Sequence, residues 1–180
     1  MSASTLPDGS ELLARERAAR RGSGSSGGGS SGSGVLTGDL QGNWWLARLW
    51  SRQGRAQAAS AALLAGLGAC LAIAPAEPGV GPGCLRIRNS VQLGHLGLQF
   101  SGPGWLRGSR PLLLFRFERI ALFWGQRQLW QGTLPEPPAQ RLPFFALIAC
   151  ERDGERGWLA ARGRGGGLAA WELRPSAPRG

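Results

Sequence analysis

From residue 35 onward, apolar and polar positions alternate in short runs, the period of strands with one face in a core and the other in water. The clearest run is 84–93, CLRIRNSVQL, where Leu85, Ile87, Val91 and Leu93 stand against Arg86, Arg88 and Gln92. Gly94 and His95 interrupt it, and Leu96, Leu98 and Phe100 resume the alternation. Further runs at 40–50, 112–118, 120–124, 129–134, 144–149, 157–162 and 168–173, with a short one at 105–107, predict about nine or ten strands punctuated by Gly or Pro. Strands do not alternate with helical patterns, which argues against a doubly wound parallel sheet. The expectation is an antiparallel β-barrel of about 8–10 strands in preference to a sandwich, because closure removes the exposed edges of so many strands.

Two stretches fall outside this pattern. Residues 56–75, AQAASAALLAGLGACLAIAP, have the length of a bilayer span but are mostly Ala and Gly, diluted by Gln57 and Ser60. A short helix at 56–65 followed by a strand at 67–74 explains them better. Residues 1–34 read as a disordered tail: a short helical possibility at 6–21, with Asp8 and Ser10 as caps, then a run of only Gly and Ser. Arg20-Arg21 is followed by Gly and Ser, not by the apolar stretch of an export signal, so a cytoplasmic or membrane-peripheral protein is expected rather than a secreted one. The domain is placed at 35–180.

Composition narrows the chemistry. The chain has 30 Gly, 12 Pro, 8 Trp, no Tyr and a formal charge of +10, and every basic residue is arginine. Three widely spaced cysteines and a single histidine, His95, exclude a disulfide framework, a zinc finger or a multi-histidine metal site. No serine lies in a nucleophile elbow. The acids of ERDGER, residues 151–156, belong to a solvated hairpin turn and not to an acid–base pair. No catalytic residue, metal or cofactor is expected, and the protein reads as a non-enzyme. The Arg162–Gly167 run, RGRGGG, is a single copy between apolar strands and reads as a turn with positive φ at several positions.

Three features carry a resemblance. Gly42-Asn43-Trp44 matches the G-x-W motif that opens lipocalin-like barrels. Residues 112–121, LLLFRFERIA, resemble the central F-x-x-F stretch of the plastid-lipid-associated (fibrillin) family. Residues 158–171, from Trp158-Leu159 through an Arg-Gly turn to Trp171, resemble that family's closing hairpin, with the turn aligned on Arg162-Gly163 or on Arg164-Gly165. Ala160 departs from the pattern, standing where the family carries an acid. The similarity spans about residues 38–174 and is closest to a cyanobacterial-type member. It implies a small barrel that binds or shelters prenylquinones, carotenoids or similar lipids at a thylakoid surface.

Residue roles follow from both lines. Gly42, Trp44, Arg162 and Arg174 are expected to close the barrel, with Arg174 first and Arg162 second packing on the Trp44 ring. Leu96, Leu98, Phe100, Phe115, Phe117, Ile120, Leu122 and Trp124 share inward phase and are the expected cavity wall. The even–odd phase changes between Phe117 and Ile120, which predicts a bulge or corner at Glu118-Arg119. The expected partners are an apolar lipid ligand and, through outward arginines such as Arg86, Arg88 and Arg116, an anionic membrane surface. A basic nucleic-acid-binding β-domain is the alternative use of the same arginines.

Overall fold

The computed structural model describes residues 6–22, 34–77, 84–108 and 111–175. Of the run of only Gly and Ser at 22–34, residues 23–33 lie outside the described residues. In chain order the elements are α1 (Gly9–Gly22), β1 (Gly42–Trp50), α2 (Ala58–Gly66), β2 (Cys70–Pro75), β3 (Cys84–Leu93), β4 (Leu96–Arg107), β5 (Leu112–Phe115), β6 (Arg119–Trp124), β7 (Arg127–Thr133), β8 (Phe144–Asp153), β9 (Arg156–Gly163) and β10 (Leu168–Arg174). The strands form one 10-stranded antiparallel sheet in the order β3-β2-β1-β10-β9-β8-β5-β4-β6-β7. Pairing of β3 with β4 closes eight of them into a barrel-like ring, and β6 and β7 project from it as a hairpin wing.

The wing exists because β4 has two partners on one edge. Its residues 104–107 pair with β5 and its residues 96–101 pair with β6. Gly104 faces Phe115 and Ser101 faces Arg119, so β5 and β6 together carry one residue more than the stretch of β4 they follow. The extra residue is a bulge at 116–118, where the N–H groups of Arg116 and Glu118 donate to the carbonyls of Pro103 and Ser101 at 3.1 and 2.9 Å. Gly102 makes room for it, since a Cβ there would run into the Arg116 carbonyl. Beyond the bulge the chain leaves β8 and takes β7 as its neighbour.

The ring interior is the main core. Trp44, Leu46, Leu71, Ile73, Leu85, Ile87, Leu113, Phe115, Leu147, Leu159, Ala161, Trp171 and Leu173 are buried in it, two each from β1, β2, β3, β5, β9 and β10 and one from β8. The segment before β1 turns at residues 37–40 and adds Val35 and Leu40 to the same cluster. A bulge between Leu46 and Arg48 resets the phase of β1, so that Trp50 points outward.

Trp50 belongs to a second cluster outside the ring, with Ile148, Trp158, Ala160, Leu168 and Ala170, and the residue that covers it is Leu12 of α1. This corrects the reading of residues 1–34 as a loose tail with a single helix elsewhere: 9–22 is a docked helix. Asp8 starts it, its Oδ1 accepting from the Glu11 N–H at 2.8 Å, and the Ser10 hydroxyl and that N–H hold its carboxyl below the usual value. Gly9 lets the helix end approach the Gly54 carbonyl and the Trp50 ring, where a Cβ would clash. Arg162 then donates to both oxygens of Glu16, at 2.9 and 2.5 Å, and Arg15 lies over the Trp158 ring at 5.2 Å. The pattern of α1 alone is too short and too polar to reveal a docking face, which depends on strands far away in sequence.

The apolar run at 56–75 divides into α2 and β2, as its composition suggests. Among the described residues no helix is long and apolar enough to cross a membrane.

Candidate functional site

The wall of the ring opens at the end where α2 stands. A cavity of about 350 Å³, open on one side, lies there among the ends of β1, β2, β3, β8 and β10. Leu46, Leu49, Leu71, Val91, Phe145 and Trp171 are among its apolar walls, with Leu64 of α2. Ala69 and Ala169 create the space, because small residues at these inward positions leave volume that a Leu or Phe would fill. Gln57 and Asn89 are the polar side chains that reach the lining.

Cys70 borders the cavity, but between inward Ala69 and Leu71 and opposite Trp45 its thiol is on the outer face of β2. Burial pushes its thiol up to about 11, with the positive charges of Arg88 and Arg174 pulling the other way, so at neutral pH it is an uncharged thiol and not a nucleophile. Cys150 is likewise raised to about 11, chiefly by burial. Among the described residues no group of three or more His, Cys, Asp or Glu is placed to hold a metal ion.

The residues expected to line a cavity lie next to this one, not in it. Phe115 is buried in the ring core, and Phe117 packs at its edge. Leu96, Leu98, Phe100, Ile120, Leu122 and Trp124 keep the common phase expected of them, but they do so on the wing. Leu96 pairs with Trp124, Leu98 with Leu122 and Phe100 with Ile120, across β4 and β6. The bulge at 116–118 is the reason: alternation fixes which side a residue points to, whereas the fork beyond the bulge decides what that side faces. Aromatic rings still connect the two regions. Phe100 meets Phe117 at 5.5 Å, Phe117 meets Phe115 at 5.2 Å, and Phe115 and Trp171 each lie 5.3 Å from Phe145, a cavity wall.

The closing residues are arranged differently from expectation in one respect. β1 and β10 pair along their lengths, with Trp44 opposite Leu173, and Trp44 is fully buried with its Nε1 donating to the Leu40 carbonyl at 2.6 Å. Gly42 has φ 144°, and a Cβ on it would strike Leu173. Neither arginine stacks on Trp44, however. Arg174 lies over Trp45, 5.7 Å from its centroid, and Arg162 is engaged by Glu16 and the Gly166 carbonyl. Trp44 and Leu173 point inward, so Arg174, the next residue, must point outward with Trp45. In the 162–167 turn only Gly166 has positive φ, fewer positions than the run of glycines suggests.

The cavity wall at Leu49, Leu64, Ala69 and Ala169 escaped the sequence reading. The one usable signal was Ala169 two residues before Trp171, a small residue next to a large one on the same face of the strand. No family model matches the chain, and no curated protein matches it at a significant level.

Proposed function

We propose that the chain binds or shelters an apolar small molecule at the surface of an anionic, photosynthetic membrane, and performs no catalysis. The observation that carries this reading is the cavity of about 350 Å³ with its leucine, valine and aromatic lining. Such a wall retains a ligand by removing its apolar area from water, at ~25 cal/mol per Å², and its volume lies in the usual range of small-molecule sites, about 300–1,000 Å³. The amides of Gln57 and Asn89 suit a carbonyl- or hydroxyl-bearing head, as a prenylquinone carries, with the tail leaving through the open side. The closed ring beginning at Gly42 and Trp44 fits a lipocalin-like barrel of the plastid-lipid-associated type, which the sequence resembles.

Extraction and mass spectrometry of the natively purified protein test the proposal. One apolar class should copurify with the wild type and be lost from Ala169→Trp, which fills the cavity. If nothing apolar copurifies, and an apolar fluorophore binds wild type and Ala169→Trp equally, the reading fails.

A further inference from the structure

The turn between β3 and β4 and the turn between β6 and β7 meet at the free end of the wing. The Gly125 N–H donates to the His95 carbonyl at 2.6 Å, and the rings of His95 and Trp124 lie 5.7 Å apart. The joined tip and the edge strand β7 expose Leu93 at 65%, Leu96 at 42%, Trp124 at 57%, Leu129 at 52% and Trp130 at 54%. Among the described residues the other large exposed apolar side chains, Leu36 and Leu63, are far apart in the chain, whereas these five are clustered, and a cluster calls for its own explanation.

Register orders these residues. Leu93, Leu96, Trp124 and Arg127 form one lateral row across the four strands, and Val91, Leu98, Leu122 and Trp130 form the next. Val91 also lines the cavity. One apolar face therefore runs from the tip to the cavity mouth.

Charge identifies what covers it. Between residues 84 and 134 the chain has seven arginines and one acid, Glu118, and Glu118 is paired with Arg116. Arg127 is at the tip in the apolar row, whereas exposed Arg88 and Arg119 share a row through Ser101 on the opposite face of the wing, five residues back from Trp124. At ~3.3 Å per residue that row stands roughly 17 Å behind the tip. A second copy on this face would set its own Arg127 beside this one, with no unpaired acid between residues 84 and 134 to offset either charge. Nucleic-acid bases would stack on the tryptophans but leave Leu93, Leu96 and Leu129 unmatched. Tryptophan and leucine at a tip, with arginine beside and behind them, match a bilayer interface with anionic headgroups.

We infer that the wing is the surface by which this chain docks on an anionic lipid bilayer. Trp124, Trp130 and Leu96 enter the interfacial region, Arg127 meets lipid phosphates, and the face leading to Val91 gives an apolar molecule a path to the cavity shielded from water. The inference rests on the membrane-surface part of the proposed function and not on the cavity being occupied.

The test is sedimentation of the full chain with phosphatidylcholine vesicles, with and without phosphatidylglycerol, across a salt series. Binding should require phosphatidylglycerol and weaken with salt. Trp124→Ala and Trp130→Ala should each lower partitioning by about tenfold, and Arg127→Gln by about fivefold. Leu63→Ala, equally exposed on α2, should change nothing. Both tryptophans are more than half exposed, so their variants should melt as the wild type does. Quenching of wild-type tryptophan fluorescence by bromine-labelled lipid tails, present only with phosphatidylglycerol, gives the same answer without a variant. Vesicle binding unchanged in the tryptophan variants overturns the inference, and so does a loss confined to self-association or to RNA gel shift. Ala169→Trp separates the two proposals: if it keeps vesicle binding and the apolar probe never bound, the cavity reading falls and the docking surface stands.

Discussion

At Gly42 a φ of 144° and the position of Leu173 leave no space for a side chain. Gly42→Ala should cost ~2–4 kcal/mol, from backbone strain together with overpacking between β1 and β10. Urea unfolding measures it, and an unchanged midpoint would mean that the two strands separate locally without penalty. Phe117 is a different case. It is half-buried between Phe100 and Phe115, at the root of the wing. A fully packed phenylalanine costs ~3–5 kcal/mol when truncated, so Phe117→Ala should cost about half of that, near 2 kcal/mol. A loss as large as that of a central core residue would place Phe117 deeper in the packing than its exposure indicates.

Among the elements, α1 is the one whose attachment depends on few groups. Among the described side chains of α1, Leu12 is the one fully enclosed by the outer cluster, and the Glu16–Arg162 pair is the least exposed ion pair among the described residues. Leu12→Ala should destabilise the docked helix by ~2–5 kcal/mol. Hydrogen exchange should then show loss of protection confined to 9–22 and to the faces of β8, β9 and β10 beneath, while the ring interior stays protected. Global unfolding in the same experiment would show that the ring needs its outer helix. The fork at β4 makes an analogous contrast: β5 is held on both sides, by β4 and β8, whereas β7 is held only by β6. The wing should exchange faster than the ring.

For the whole molecule, the two raised thiols give a pH dependence with a definite sign. Cys70 and Cys150 move from 9.0 to about 11 on folding, mainly because burial disfavours the thiolate. The folded state thus holds these protons more tightly than the unfolded chain does. Their contribution is complete below about 9 and is lost as pH rises from about 9 to about 11. Unfolding free energies measured across that window should fall, and the fall should be reduced in Cys70→Ala/Cys150→Ala. A slope unchanged by the double substitution would assign the loss to other groups.

Local pattern determined most strand positions, the helix–strand division of 56–75, the turn at 154 and a bulge expected at Glu118-Arg119 and found at 116–118, because each is set by local period or by a glycine that a turn requires. It also fixed which residues share a face, as the common phase of Leu98, Phe100, Ile120 and Leu122 demonstrates. What those faces meet was decided only in the tertiary structure. Whether β6 continues along β8 or leaves with β7 depends on pairings among segments far apart in the chain, and period two is the same in either arrangement. The docking of α1 on Trp50 and Trp158 and the cavity between Leu49, Leu64 and Ala169 have the same origin. A side chain's phase is a local property of the backbone, while its neighbour, and so its use, is set by the closure of the ring.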